Sequence, residues 1–316
     1  MNDRTATPPS TTRDRVDIVL PKGARLGPFE VQRLISRGAS SFVYLATDHA
    51  LAMPVALQEY LPMRLVYRDP WLHLHASDPT DEDILNRGMQ VFIEESRLLA
   101  RCEHPALMRV NHLFEAHGSA YRVMPFQPGR RLDDVRRQMA EPPPESALRA
   151  LLDPLLGALE TIHQLDQVHG GVTAANILLS DQDLPVLLAP GAAAREIRSD
   201  LVESLMATVE SQPGALLPEV APTGPSIDLC ALAEVMRFCI TGEAAVPGTR
   251  PHEPLSVLLG RGGGDAPMPV YSTEFISTLD AATSSSPEDW PTSVAQCRLW
   301  LTHGAPAARA AGRRTV

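Results

Sequence analysis

Lysine is almost missing from this chain. Of 316 residues, 28 are lysine or arginine, and Lys22 is the single lysine among them. Chemistry that needs a lysine side chain therefore has only Lys22 to draw on. Cysteine is sparse: Cys102, Cys230, Cys239 and Cys297 are scattered with no Cys-x-x-Cys. They read as buried thiols of a reducing compartment, not as metal ligands or disulfides. No apolar run approaches the roughly 18 residues of a membrane span. Residues 1–15 are polar and lack the apolar core of a secretory signal. A basic face is missing too. The net charge of −10 argues against nucleic acid or an anionic membrane as the main partner. These absences describe a cytoplasmic protein without a membrane span or a nucleic-acid surface.

What is present is a sizeable core, since 44% of residues are hydrophobic, enough for one large domain or two lobes. Residues 1–24 read as a disordered leader, with Pro8-Pro9 and mixed charges. Leu34 to Ala46 reads as strand, turn and strand, and Pro54 to Glu59 as a third strand with Ala56 and Gln58 on one face. Pro70 to Asp83 reads as irregular, and its His73, His75 and Asp78 as a solvated loop in preference to a metal site. Glu82 to Arg101 has helical period, with Leu85, Met89, Phe92 and Leu99 on one face and Glu95 between them. Strands follow at Leu107 to Phe114 and Ala120 to Phe126.

The second half is helical. Glu145 to Leu165 carries a broad leucine face that must outweigh the internal Pro154, which costs about 3 kcal/mol. Asp228 to Thr241, Phe275 to Ala282 and Thr292 to Leu301 are further helices. Gly260 to Ala266 reads as a glycine-rich loop, and residues 303–316 as a flexible tail. Strands first and helices second imply an α+β chain or two lobes.

One stretch carries most of the functional signal. Val168-His169-Gly170-Gly171-Val172-Thr173-Ala174-Ala175-Asn176 precedes Leu188-Ala189-Pro190-Gly191. In outline this is His-Arg-Asp, four residues, Asn, then Asp-Phe-Gly, with His169, Asn176 and Gly191 kept and the charges gone. Other landmarks stand in matching order. Ser36-Arg37-Gly38-Ala39-Ser40-Ser41 resembles a glycine-rich phosphate loop. Val55-Ala56-Leu57-Gln58 resembles Val-Ala-Ile-Lys, Glu95 the helix-C glutamate, and Val123-Met124-Pro125-Phe126 the last strand and hinge. Pro218-Glu219 resembles the end of Ala-Pro-Glu, and Asp228 the buried aspartate of the helix after it. From about Gly27 to Leu301 the chain resembles a bacterial member of the eukaryotic-type Ser/Thr protein kinase family. Gln58-Glu59-Tyr60-Leu61-Pro62 is similar to the Lys-Glu-Tyr-x-Pro of one bacterial subgroup.

The resemblance implies a bilobal α+β fold. Residues 25–126 would form an antiparallel, β-rich N-lobe with one main helix, and residues 127–302 a helical C-lobe. It also says which roles are lost. The phosphate-holding lysine is Gln58, and Lys22 precedes the fold. The catalytic aspartate, whose general-base work is worth roughly 10² to 10⁴ in rate, is Gly171. A lysine common two positions on is Thr173. The Mg²⁺-holding aspartate is Ala189, which leaves the amide of Asn176 as the remaining metal-site ligand. Glu95 loses its lysine, and Arg37 or a swing of the helix would have to satisfy it. His169 reads as a core histidine. Trp290 replaces the arginine that would pair with Glu219.

Gly38, Val43, Ala56, Met124, Leu178 and Gly191 match the family's nucleotide pocket, or are simply core. The expectation is a pseudokinase: no intact catalytic set, no required cofactor or metal, weak ATP binding at most and Mg²⁺ disfavoured. It would act as a scaffold or allosteric regulator for a protein partner, such as an active kinase or a signalling or secretion component. The alternatives are a divergent ATP-dependent Ser/Thr kinase and a metal-free nucleotide-sensing module.

Overall fold

A computed structural model describes residues 18–189, 222–243, 253–260 and 270–306. The first lobe is built on a six-stranded antiparallel sheet of order β1-β2-β3-β4-β8-β7. Its strands are β1 (Arg25–Leu26), β2 (Phe29–Arg37), β3 (Ser41–Asp48), β4 (Met53–Tyr60), β7 (His112–Ala116) and β8 (Ser119–Pro125). The helix α1 (Glu82–Arg101) has the bounds its period predicts and packs on the sheet through Phe92, Ile93 and Leu99. The second lobe contains α2 (Leu132–Gln138), α3 (Glu145–His163), α4 (Ser226–Thr241), α5 (Leu255–Gly260), α6 (Thr273–Ala282) and α7 (Val294–His303). A small sheet there has order β11-β10-β9, from β9 (Gly129–Arg131), β10 (Ile177–Ser180) and β11 (Pro185–Leu187). This is the bilobal α+β arrangement expected.

The structure corrects several boundaries. Pro70 to Asp83 is not simply irregular. A two-stranded ribbon, β5 (Val66–Arg68) and β6 (Leu74–Ala76), runs into it. Its turn is organised by Asp69, whose carboxylate accepts the backbone N–H groups of Trp71 and His73 at 2.9 Å and bonds His75 at 3.0 Å. Asp78 is engaged separately, accepting Thr80 N–H at 2.9 Å as a cap. Among the described residues no His/Cys/Asp/Glu group is arranged to hold a metal. The strand expected from Leu107 begins only at His112. The preceding backbone crosses instead to β11, with Met108 N–H donating to Leu187 and Leu187 N–H to Ala106, both at 2.8 Å. The short helices α2 and α5 were not legible as periods. α5 starts where the Asp280 carboxylate accepts the N–H groups of Leu255 and Ser256, at 2.6 and 3.1 Å. Gly260 closes that helix, and residues 261–269 lie outside the described residues.

α3 runs through Pro154, because Leu148, Leu151, Leu152, Leu155, Leu156, Leu159 and Ile162 are all buried along one face. Burying each such side chain stabilises by about 1.5–3 kcal/mol, so together they outweigh the lost hydrogen bond. All four cysteines are free and buried. Burial pushes the thiols of Cys239 and Cys297 up to about 12, so they are inert.

A leader ending at residue 24 is too long. Leu20 is buried with its N–H bonded to the Tyr44 hydroxyl at 3.3 Å, and Gly23 N–H bonds Val31 at 2.8 Å. The entering chain also meets a charged centre inside the first lobe, through Tyr44 and Arg68. Glu59 on β4 has no solvent exposure and meets Arg68 on β5 at 2.7 Å. The Tyr44 hydroxyl donates to Glu59 at 2.9 Å, and Tyr121 donates to its other oxygen. Burial and the Glu59 charge push both phenols up. The rest of the Arg68 guanidinium reaches the carbonyls of Ile18 and Leu72 at 2.7 Å. One buried ion pair thus joins the sheet, the ribbon and the entering chain. Replacing one member of such a pair strands the other. Arg68→Met should lower unfolding free energy by about 3 kcal/mol in urea denaturation; a loss within experimental error of zero would contradict this role.

Candidate functional site

In the second lobe the site is assembled around Asp228, near the start of α4. Its carboxylate is fully buried. It accepts His169 N–H at 2.7 Å and Gly170 N–H at 2.6 Å, and bonds His163 Nε2 at 2.9 Å. Gly170 has φ +62°, so the chain turns there in the left-handed region that glycine enters without strain. His169 is buried, with Nε2–H donating to Leu188 at 2.9 Å and Nδ1 accepting Gly171 N–H at 3.2 Å. These two bonds fix its tautomer and tie the loop to the strand end that carries Ala189. Asn176 donates from its side-chain amide to Gly171 O at 2.8 Å. Thr173 is exposed and precedes the short 3-10 turn Ala174–Asn176. His169, Gly171, Asn176 and Asp228 are therefore linked through hydrogen bonds, with Ala189 beside them, and Leu188 and Ala189 pack on the core. Pro190, Gly191, Pro218 and Glu219 lie outside the described residues, as does residues 192–217. The Trp290 indole donates to Ser284 O at 2.8 Å.

In the first lobe, Gly38 sits in the turn between β2 and β3, its N–H bonded to Ser41 O at 2.8 Å. A Cβ at Gly38 would sit 3.0 Å from that oxygen, so the tight turn favours glycine. Val43 faces Gln58 in register, and Ala56 faces Met124. Ala56 and Met124 are buried in the core that bridges both lobes, with Val43 packed against that core. Leu178, on β10, is half-buried.

Gln58 is bound on both sides. Its amide N–H donates to the Ser41 hydroxyl at 2.8 Å, and its carbonyl accepts Arg122 Nε–H at 2.9 Å. Arg122 is the residue that sequence reasoning missed. It lies on β8 directly opposite Gln58, with its side chain 1% exposed. It forms an ion pair with Glu95 at 3.7 Å, donates to Ser96 Oγ at 3.4 Å, and lays its guanidinium 4.3 Å from the Phe92 ring centre. Burial lowers the Arg122 pKa to about 10, with the Glu95 charge opposing the drop. Glu95 is thus held neither by Arg37 nor through a swing of α1; Arg37 lies over Phe42 instead, 5.6 Å from its ring centre. The signal was available. Arg122 stands two positions before Met124 on a central strand, hence on the same face, among Ala120, Tyr121 and Val123. An arginine there must be buried and partnered.

The electrostatics of the two halves differ in kind. Arg122 is a buried cation on the same sheet face as Gln58, already engaged by α1. The three positions that the sequence resemblance assigns to phosphate, the attacking hydroxyl and a metal are occupied by an amide, a glycine and a methyl group: Gln58, Gly171 and Ala189.

Comparison with known proteins matches residues 73–255 to the protein kinase domain. The Ser/Thr-protein kinase PknL of Mycobacterium bovis is 27% identical over 82% of the chain; the chain spans 61% of that protein's length. The solved structure titled PpkA-294 apo form is 31% identical, covering 90% of this chain and all of that one, with a TM-score of 0.76. The PknI kinase domain of Mycobacterium tuberculosis shares the fold, with a TM-score of 0.62 at 21% identity over 90% of this chain and 98% of that one.

The Arg122–Glu95 pair should behave as a coupled unit. Arg122→Met alone should cost about 3 kcal/mol, and the double change with Glu95→Leu less than the sum of the two single changes. A double-mutant cycle in urea should give a coupling of at least about 1 kcal/mol; additive changes would contradict the pairing.

Proposed function

Because the chain belongs to the protein kinase family, we propose that it is a catalytically inactive member, a pseudokinase, acting as a protein-binding scaffold or allosteric regulator in bacterial signalling. The observation that carries this reading is where the charge has gone. The scaffold contacts are intact: Asp228 holds the His169 backbone, His169 holds Leu188, and Asn176 holds Gly171. The positions that the resemblance assigns to phosphate chemistry carry Gln58, Gly171 and Ala189. Phosphoryl transfer depends on positioning and on neutralising the charge of the transferred group. Gln58 offers no charge, and both ends of its amide are occupied by Ser41 and Arg122. Gly171 has no side chain to accept a hydroxyl proton.

The donor set does not fit Mg²⁺. A hard cation takes oxygen ligands, usually including carboxylate. Ala189 supplies a methyl group, and the amide nitrogen of Asn176 faces Gly171 O. Val43, Ala56 and Met124 share one apolar face of the sheet, which favours metal-free adenine binding as a second reading within the same scaffold.

One thermal-shift series separates these readings. A ligand present at a hundred times its Kd stabilises by about 2.7 kcal/mol. The expected result is that Mg²⁺ adds nothing to any shift seen with ATP plus EDTA, and that no label passes from γ-labelled ATP to a generic protein substrate. A Mg²⁺-dependent shift, together with transfer abolished by Gln58→Ala, would overturn the proposal.

A further inference from the structure

The first lobe carries a pocket of about 600 Å³ whose lining includes neither Gln58 nor Gly171. Three elements wall it: the β5–β6 ribbon, the first half of α1, and the turn between β7 and β8. Leu74, Ala76, Leu85, Met89 and Ala116 give it an apolar floor.

The walls are preformed. Leu74 N–H donates to His117 O at 2.8 Å, pinning ribbon to turn. A Cβ at Gly118, where φ is +71°, would meet Leu74 O at 2.6 Å, so the close approach needs glycine. The His73 and His117 rings meet edge to face at 4.9 Å. The pocket therefore does not have to open before it is filled.

Its charge is of one sign. Glu82 and Glu115, both exposed, stand on opposing walls, and no lysine or arginine lines it. Burial lowers the pKa of His117, with His73 and Arg68 adding to the drop, so its ring adds no cation near neutral pH. Asp81 and Asp83 flank Glu82 at the start of α1. Exposed aromatics extend the surface: Tyr67, 53% exposed, lines the pocket, and Trp71, 76% exposed, lies in the turn of the same ribbon. Aromatic anchors around an apolar pocket are the composition of binding hot spots.

We propose that this pocket docks a basic segment of a partner protein, seating one large apolar side chain while flanking arginines or lysines face Glu82 and Glu115. The proposal rests on the reading of the chain as a protein-binding member of its family and deepens it by naming the surface and the partner's chemistry. Apolar burial supplies affinity, and the carboxylates select the sign of the partner and speed its approach.

The test uses the full chain and two pooled peptide libraries. Each has one fixed leucine or phenylalanine, flanked by Arg and Lys in one pool and by Asp and Glu in the other. The basic pool should bind saturably and slow hydrogen exchange in residues 82–89 and 116–119. Glu82→Lys with Glu115→Lys, both exposed and remote from the core, should weaken it at least tenfold and strengthen the acidic pool. Raising salt should weaken the wild-type complex in the same direction. Equal binding of both pools, no binding of the basic pool, or an affinity indifferent to the charge reversal would each overturn the proposal. So would a concentration-dependent dimer that protects these same residues, since the occupant would then be a second copy. Label transfer from ATP would sink the inactive reading of the cleft but leave the peptide result standing, so the two failures are read separately.

Discussion

The arrangement of the first lobe depends on a buried guanidinium. Arg122 enters the space behind Gln58 from the neighbouring strand and meets three residues of α1: Phe92, Glu95 and Ser96. A buried cation that loses its partners is costly, by several kcal/mol. Moving α1 away from the sheet would break all three contacts at once. In a kinase with a lysine at the Gln58 position, one side chain both reaches phosphate and holds the helix. Here the two tasks are separated. The helix is held by Arg122 from the neighbouring strand β8, and Gln58, beside it on the same face, is left a neutral amide bonded to Ser41 and Arg122.

The second lobe shows the same separation of shape from charge. Asp228 engages the turn at His169 and Gly170, and that turn carries Gly171 and Asn176 in place. Nothing in this set requires Gly171 to be an aspartate, because its contacts are made by backbone atoms. A scaffold built on main-chain hydrogen bonds and buried leucines can lose its reactive side chains without losing its geometry. That is the physical reason the loop outline is compatible with glycine at position 171.

The fold was legible where periodicity and landmarks coincided. α1 and α3 follow from spaced apolar residues, and β4 from the alternation around Ala56 and Gln58. Elements held by single polar contacts were not legible. The ribbon at Val66–Arg68 and Leu74–Ala76 depends on Asp69 in its turn and on Arg68 reaching Glu59, pairings that no local pattern announces. At the candidate site, sequence reasoning missed Arg122, which meets both Gln58 and Glu95. Attention to lysine, of which there is one, hid the fact that an arginine on the adjacent strand meets Glu95. The sequence motif Glu59-Tyr60 likewise gave no hint that its carboxylate anchors Tyr44, Tyr121 and Arg68.

Arg122 makes the central claim directly measurable. If α1 is held by a buried arginine and not by a nucleotide-responsive lysine, its backbone amides are already slow to exchange in the free protein. Hydrogen exchange should then show the same rates across residues 92–99 with and without ATP and Mg²⁺. Marked slowing in that stretch on adding Mg²⁺ and ATP would mean that the helix still answers to the cleft, and would contradict the account.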